Sequence, residues 1–244
     1  MNINLNYRRN KLIKLDENDD FWKHFFKNPK KAYNPYMYRL KEFPEYIMYD
    51  NEIMDSYKGR WNEYFKNDNP IYVEIGSGSG NFALGMCEKY RDRNHIALEL
   101  RFKRLHSSAR KSKKLNLSNV LFIRRFGEEL TEFLGECEIS GLYINFPDPW
   151  EGNEKNRIIQ ENLFSSLDKV LKIGGKLFFK TDHDKYYEDV LQLSGNLENY
   201  KLVYHTSDLH NSEKAEDNVL TEFEQLFLNK FQKNINYIEI EKIK

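Results

Sequence analysis

The chain has 244 residues, 40% of them hydrophobic, which is enough to bury one core with an extension but not two full domains. Its 38 basic and 38 acidic residues give a formal net charge of zero, so no overall field indicates a nucleic-acid partner. Cys87 and Cys137 lack metal-ligand spacing, which argues against a disulfide framework and predicts no bound metal. No apolar run resembles a signal peptide or a membrane span, so we expect a soluble cytoplasmic protein with no membrane partner.

Residues 1–69 differ in character from the rest of the chain. They are rich in Lys, Asn, Tyr and Phe, they are interrupted by Pro29, Pro35 and Pro44, and they have no clear hydrophobic period. We therefore predict an N-terminal extension or arm over residues 1–69 and one folded domain over residues 70–244. The basic residues of the arm suit either of two roles, which are following nucleic-acid phosphates and wrapping the domain.

From residue 70 onward, strand and helix patterns alternate along the chain. This alternation predicts an α/β fold with a mostly parallel sheet and helices on both faces. Two strands at the C-terminal edge would suit the Rossmann-like, seven-stranded sheet of class I methyltransferases. The predicted strands are residues 71–75, 95–100, 120–125, 142–146, 176–180, 202–205 and 237–243. The predicted helices are residues 81–90, 102–115, 128–134, 158–171 and 184–193, with a further helix starting near residue 221.

A glycine-rich turn separates the first predicted strand from its helix. Gly76, Gly78 and Gly80 alternate with serines, so the backbone can bend sharply and approach a ligand closely, although a tight structural turn would use the same residues. The spacing is not the G-x-G-x-x-G pattern of dinucleotide sites, which disfavours a nicotinamide oxidoreductase. Glu74 before the turn suits a cationic amino group, and Glu99 at the next strand end suits the two ribose hydroxyls. Together, Glu74, Gly76, Gly78 and Glu99 favour S-adenosylmethionine as the cofactor.

A basic segment covers the second predicted helix and the strand after it. Residues 101–118 contain seven Lys or Arg residues and no acidic residue, and Arg124 and Arg125 follow. Such a run either binds phosphates or forms a solvated helix face, and the sequence alone leaves both interpretations open.

The fourth predicted strand ends in an unusual run, Phe146-Pro147-Asp148-Pro149-Trp150. Two prolines restrict the backbone on either side of Asp148, and Trp150 adds a flat apolar surface. Open α/β sheets bind ligands at the carboxyl ends of their strands, so this run predicts part of a binding site. The alternative is a proline-rich strand exit with a tryptophan that packs against the strand.

With these motifs in order, the chain resembles the bacterial tRNA (guanine-N7-)-methyltransferases over residues 57–242. Five separate motifs carry the resemblance, and their common order makes a chance match improbable. They are Tyr57-Lys58-Gly59-Arg60-Trp61-Asn62, Asn145-Phe146-Pro147-Asp148-Pro149-Trp150, Phe179-Lys180-Thr181-Asp182, Asp208-Leu209-His210-Asn211-Ser212 and Thr221-Glu222-Phe223-Glu224.

The resemblance implies a reaction and a set of residue roles. S-adenosylmethionine would donate a methyl group to N7 of guanosine 46 in the variable loop of tRNA, leaving S-adenosylhomocysteine. Glu74 and Glu99 would bind the cofactor, and Asp148 would be the catalytic residue between cofactor and guanine. The residues expected to contact tRNA are Asp182, Thr221, Glu222, Phe223 and Glu224.

The sequence departs from the family pattern in three places, of which the least important is Ser79 in the glycine-rich turn, where Lys or Met is frequent. The run after Trp150 is less basic than usual, and Gly152 stands where a tRNA-binding lysine is expected, so Lys155 and Arg157 are the candidate replacements. Phe126 stands where an acidic residue near the adenine is usual, so Phe126 would stack on the adenine and Glu128 would reach its amino group.

These departures leave two alternatives open. One is a related class I methyltransferase with a changed substrate, and the other is a relic that binds cofactor or tRNA with weak activity. A small substrate would not require the basic segment or the Thr221-Glu222-Phe223-Glu224 run. The sequence is compatible with either a monomer or a homodimer.

Overall fold

The computed structural model describes residues 20–27, 34–231 and 233–244. The described residues form one eight-stranded sheet with strand order β1-β4-β3-β2-β5-β6-β8-β7. Neighbouring strands are parallel except that β8 runs antiparallel to both β6 and β7. The strands are β1 (Ile47–Met48), β2 (Ile71–Ile75), β3 (Asn94–Leu98), β4 (Val120–Ile123), β5 (Ile139–Asn145), β6 (Leu171–Thr181), β7 (Tyr200–Thr206) and β8 (Asn236–Lys242).

The helices fill the connections between the strands, as predicted for an α/β fold. Short 3-10 turns, among them Glu154–Asn156 and Leu209–Asn211, lie between longer elements. The α-helices within the described residues are α1 (Pro35–Tyr38), α2 (Asn51–Ser56), α3 (Trp61–Phe65), α4 (Asn81–Lys89), α5 (Phe102–Leu115), α6 (Leu130–Phe133), α7 (Glu161–Val170), α8 (Asp184–Ser194) and α9 (Glu222–Leu226).

The two largest hydrophobic cores among the described residues lie on opposite faces of the sheet. Successive strand residues point to opposite faces, and in β3 Ile96 and Leu98 join one core while Ala97 joins the other. The first core packs against α7 and α8, and the second packs against α4 and α5. Burial on both faces explains why β4, Val120–Ile123, is a continuous apolar run rather than an alternating one.

The N-terminal extension contributes more to the fold than its sequence suggests. Residues Ile47–Met48 form β1, which pairs in parallel with β4 and adds an eighth strand to the predicted seven. Leu40 belongs to one core, and Trp61, which is 0% exposed, belongs to the other. The part of the extension from residue 34 onward is thus packed on the domain, whereas its first 19 residues lie outside the described part of the chain. The boundary between residues 69 and 70 stays a prediction.

The carboxyl ends of β2, β3, β5 and β6 lie along one edge of the sheet. From β2 the chain continues to β3 on one side of the sheet, whereas from β5 it continues to β6 on the other side. This reversal of direction opens a ligand-binding crevice between the neighbouring strands β2 and β5. Among the described residues, no helix combines the length and apolar character that crossing a bilayer requires. In the same part of the chain, no group of three or more His, Cys, Asp or Glu side chains could hold a metal ion.

Candidate cofactor and substrate site

Two adjoining pockets lie at the carboxyl ends of β2, β3 and β5. We call the larger one, of about 390 Å³, the main cleft, and the smaller one, of about 40 Å³, the turn pocket. Gly76 lines both, so the glycine-rich turn separates the two spaces. The predicted site residues that line the main cleft are Gly76, Glu99, Phe126, Glu128 and Asp148. Those that line the turn pocket are Glu74, Gly76, Gly78, Thr221, Glu222 and Phe223.

The glycine-rich turn adopts backbone conformations that favour glycine over other residues. Gly76 and Gly80 have φ of +76° and +78°, in the left-handed region that favours glycine. A Cβ on Gly80 would stand 2.7 Å from Ser108 Oγ and 3.1 Å from Phe122, so this glycine also allows α5 to pack closely. A Cβ on Gly76 would meet nothing within 4 Å, so there the backbone conformation is the constraint.

Glu74 is 4% exposed and has an incomplete set of hydrogen bonds. Its Oε1 accepts a hydrogen bond from Asn145 Nδ2 at 3.1 Å, whereas its buried Oε2 has no partner among the described residues. Burial raises the pKa of Glu74 to about 7, although the Asn145 hydrogen bond and the Lys180 charge oppose this. A buried carboxylate with an unused acceptor fits a cationic group of a ligand, such as the ammonium of an amino acid.

Glu99 follows β3 and is anchored by its own chain. Its Oε1 accepts the backbone N–H of Arg101 at 2.7 Å, and its Oε2 lies 3.7 Å from Arg104 Nη1. The side chain is buried yet lines the main cleft, so it is held in place and can accept hydrogen bonds from hydroxyl groups.

Asp148 is exposed at the rim of the main cleft, on a loop with a constrained backbone. The flanking residues Phe146 and Trp150 have φ of +52° and +48°, a conformation that non-glycine residues adopt only when their surroundings enforce it. Arg157 supplies part of that support, because its Nε donates to the Pro149 carbonyl at 2.7 Å. The Trp150 ring lines the same cleft and is 46% exposed.

The two candidate replacements for the missing lysine lie in different environments. Arg157 is buried, pairs with Asp189 Oδ2 at 2.8 Å and lies 4.4 Å over the Tyr186 ring. Lys155 is exposed in the 3-10 turn Glu154–Asn156. The structure therefore places Arg157 as a brace of the Asp148 loop and leaves Lys155 facing solvent.

The Thr221-Glu222-Phe223-Glu224 run begins α9 with a capping box. Thr221 Oγ1 accepts from Glu224 N at 3.0 Å, and Glu224 Oε2 accepts from Thr221 N at 2.8 Å. Glu224 is 0% exposed and pairs with Lys180 Nζ at 3.1 Å. Its other oxygen accepts from Asn218 Nδ2 at 2.8 Å. Thr221 and Glu224 thus hold α9 on the domain.

The other two members of this run and Asp182 are accessible. Phe223 is 47% exposed and stacks on Phe146 with ring centroids 5.7 Å apart, and Glu222 accepts from Asn81 Nδ2 at 3.1 Å. Asp182 is half-buried just after β6 and lies outside the two pocket linings.

Sequence reasoning assigned no separate role to Asn145 or Lys180, which shape the site. Asn145 orients Glu74, and Lys180 pairs with Glu224 and interacts electrostatically with Glu74, while burial lowers the pKa of Lys180. Both residues stand in motifs that carried the family resemblance, but only as positions in a pattern. A lysine at the end of a buried strand was the available signal.

A separate groove of about 340 Å³ lies on the face of the sheet between α4 and residues 209–219. It contains Tyr143 and Phe178, whose rings stack 4.5 Å apart, and none of the predicted site residues lines it. Its buried Glu239 is already paired with Lys176 and Lys214 at 3.2 and 2.9 Å. The groove therefore presents satisfied ion pairs rather than open ligands.

The chain is similar to known proteins over most of its length. A family model described as "Putative methyltransferase" matches residues 68–237. A tRNA (guanine-N(7)-)-methyltransferase of Brevibacillus brevis is 35% identical over 196 residues, which cover 80% of this chain and 89% of that protein. The chain belongs to the tRNA (guanine-N(7)-)-methyltransferase family. A family relative from Clostridioides difficile is 36% identical over 78% of this chain and 88% of its own length.

One further relative is much longer than this chain. A "Bifunctional glycosyltransferase/methyltransferase" of Fusobacterium nucleatum is 62% identical over 93% of this chain. The chain spans 36% of the length of that relative. Among solved structures, the 16S rRNA methyltransferase KamB has a TM-score of 0.57 at 13% identity, covering 76% of this chain and 93% of that one. This likeness concerns the fold alone, which is that of class I methyltransferases.

Proposed function

We propose that the protein transfers a methyl group from S-adenosylmethionine to N7 of guanosine 46 in the variable loop of tRNA, releasing S-adenosylhomocysteine. The observation that carries the proposal is the unpartnered Glu74 carboxylate oxygen beside the glycine turn, one strand away from Asp148. The names of the family relatives supply the substrate class. A cytoplasmic location and action as a monomer or homodimer are part of the same proposal.

The chain's own residues fit the parts of this cofactor. Glu74 would accept from the ammonium group, and Glu99 would accept from the two ribose hydroxyls. Phe126, which is exposed in the main cleft, would stack on the adenine, and Glu128 would accept from the adenine amino group. When bound, the cofactor would supply an electrophilic sulfonium methyl group.

The reaction requires alignment more than proton removal. Guanine N7 carries an in-plane lone pair, so the site has to hold the base with N7 in line with the methyl group. Asp148, exposed on its braced loop, would accept from guanine N1–H or the amino group and stabilise the positive charge that develops on the purine. Trp150 offers an exposed ring beside Asp148 for a base that has left its stack.

The remaining predicted tRNA residues lie outside the lining of the main cleft and would contact the tRNA around it. Asp182, Glu222 and Phe223 are accessible enough to meet the tRNA, and Lys155 offers a phosphate contact. Direct tRNA contacts of Thr221, Glu224 and Arg157 stay a prediction, and their hydrogen bonds support a positioning role in addition.

Methylation of an unmodified tRNA transcript with labelled S-adenosylmethionine tests the proposal. We expect Asp148→Ala to lower kcat by about a hundredfold or more, because the charge that develops on guanine loses its stabilising partner. The matched control is Asp92→Ala, since Asp92 is exposed in the turn after α4. Borohydride and aniline cleavage then maps the modified position.

Three results would contradict all or part of this proposal. Methylation at a guanosine other than 46 would overturn the position, and incorporation only into a small molecule or protein would overturn the substrate class. Cofactor binding without any incorporation would indicate a binding relic, an alternative that the less basic loop after Trp150 favours.

A further inference from the structure

The turn pocket contains one half of a site for an amino acid zwitterion in the unpartnered Oε2 of Glu74. An ammonium group beside this carboxylate would carry an α-carboxylate within a few ångströms. A buried carboxylate needs its own cation or several hydrogen-bond donors. Glu222 also lines this pocket, which makes an unassisted anion there still less favourable.

Arg104 is the single basic residue among the described residues that line the turn pocket. It lies in the first turn of α5, its side chain is 38% exposed, and its Nη1 stands 3.2 Å from the place where a Cβ on Gly78 would be. The guanidinium therefore lies directly against the glycine-rich turn. Gly78 leaves room for it, in addition to adopting φ of +58°.

The guanidinium of Arg104 is available for a ligand. Its nearest acidic partner is Glu99 Oε2 at 3.7 Å, which is too long for a hydrogen bond. Within the described part of the chain, its guanidinium nitrogens make no hydrogen bond of normal length. Five N–H donors in a fixed planar fork match the two oxygens of a carboxylate.

We infer that Arg104 binds the α-carboxylate of the methionine moiety of the methyl donor, opposite Glu74, which binds its ammonium group. The inference rests on the proposed function. It gives the orientation of the methionine moiety in the turn pocket, with the ammonium group at Glu74 and the carboxylate at Arg104. Arg104 is then a specificity-determining residue, because it distinguishes the complete amino acid from a donor that lacks the carboxylate.

Calorimetric titration of the full chain with three ligands tests this assignment. The ligands are S-adenosylhomocysteine, decarboxylated S-adenosylmethionine and 5′-methylthioadenosine, and only the first carries the carboxylate. We expect Arg104→Gln to weaken S-adenosylhomocysteine binding by about ten- to a hundredfold while leaving the other two affinities within about twofold. Arg104→Lys should recover part of the loss, since it keeps the charge without the fork.

Lys103→Gln is the matched control, because Lys103 is the exposed neighbour on the same helix, and it should leave all three affinities unchanged. Equal binding of S-adenosylhomocysteine by wild type and Arg104→Gln overturns the inference. An equal loss for all three ligands also overturns it, because Arg104 would then act by holding Glu99 or the glycine turn. If the wild-type chain binds none of the ligands, the proposed function itself fails.

Discussion

At the scale of single residues, the chemistry of the site depends on how much of each carboxylate is already in use. Glu99 has an anchored oxygen, Glu224 has both oxygens occupied, and Glu74 has one oxygen without a partner. A fully satisfied buried acid stabilises its surroundings, whereas an unsatisfied one stabilises a ligand that completes it. Glu74 is therefore suited to bind a ligand, whereas Glu224 is suited to a structural role. The sequence alone does not distinguish these two acidic residues.

Ligand binding at Glu74 should depend on pH. Burial holds the pKa of Glu74 at about 7 in place of 4.5, so roughly a tenth of it is ionised at pH 6. We expect S-adenosylhomocysteine to bind about tenfold more weakly at pH 6 than at pH 8, because only the ionised carboxylate pairs with an ammonium group. Calorimetry across this range should give a flat, weaker profile for Glu74→Gln. Glu88→Gln, on the exposed side of α4, should retain the wild-type slope.

The same pKa has a consequence for stability. The folded chain holds the Glu74 proton more firmly than the unfolded chain between pH 4.5 and about 7, so this group's contribution to the free energy of unfolding falls as the pH rises through that range. Denaturation of Glu74→Gln should lack this component of the pH dependence. For the binding prediction above, a wild-type affinity for S-adenosylhomocysteine that does not change between pH 6 and pH 8 would contradict the ammonium-binding role of Glu74.

At the scale of elements, α9 is held on the domain by the contacts of buried Glu224, which pairs with Lys180 and lies 3.3 Å from His210 Nε2. The α-helix has five residues and passes directly into a π-helical turn, Phe227–Phe231, and so short a helical segment is not stable alone. Its capping box closes the first turn, and Glu224 joins it to Lys180 at the end of β6. Although burial alone would raise it, the charge of Lys180 holds the pKa of Glu224 below its ordinary value.

Removing one partner of this pair should be costly. We expect Lys180→Met to lower the free energy of unfolding by about 3 to 5 kcal/mol, because Glu224 would remain buried without its cation. Urea denaturation measures the loss, and Lys113→Met, at an exposed ion pair with Glu45, should have little effect. An equally small effect of both substitutions would show that the Lys180 pair does not hold α9.

The elements also show what the sequence can and cannot predict. The seven longer strands have enough apolar residues to establish a pattern, whereas the two residues of β1 carry no period at all. The parallel strand order explains why Glu99 and Asp148 line one cleft, since carboxyl ends of parallel strands share an edge. The buried roles of Arg157 and Glu224 depend on partners 32 and 44 residues away, which no local pattern reveals.

At the scale of the whole molecule, the described part of the N-terminal extension completes the domain. Trp61 is fully buried, and its Nε1 donates to the Phe133 carbonyl at 2.9 Å. The Glu138 carboxylate accepts the backbone N–H groups of Gly59 and Trp61, each at 2.9 Å. These contacts join the extension to the segment that leads into β5, the strand that Asp148 follows.

A test of this integration is the substitution Trp61→Ala. We expect it to lower the free energy of unfolding by about 3 to 5 kcal/mol, because it removes a large buried ring and leaves the Phe133 carbonyl unpaired. Urea denaturation should show this loss, while Trp150→Ala, at an exposed ring, should change stability little. Similar stabilities for the two variants would indicate that the extension is a separable arm.

Because β8 lies between β6 and β7, the sheet cannot be completed until β8 has been synthesised. β7 precedes β8 along the chain, yet its only neighbour among the described strands is β8, which also pairs with β6. During synthesis, residues 200–206 therefore leave the ribosome before any strand is available to pair with them. Until residues 236–242 follow, β6 exposes an open edge, and a nascent chain stalled in this interval would be vulnerable to aggregation.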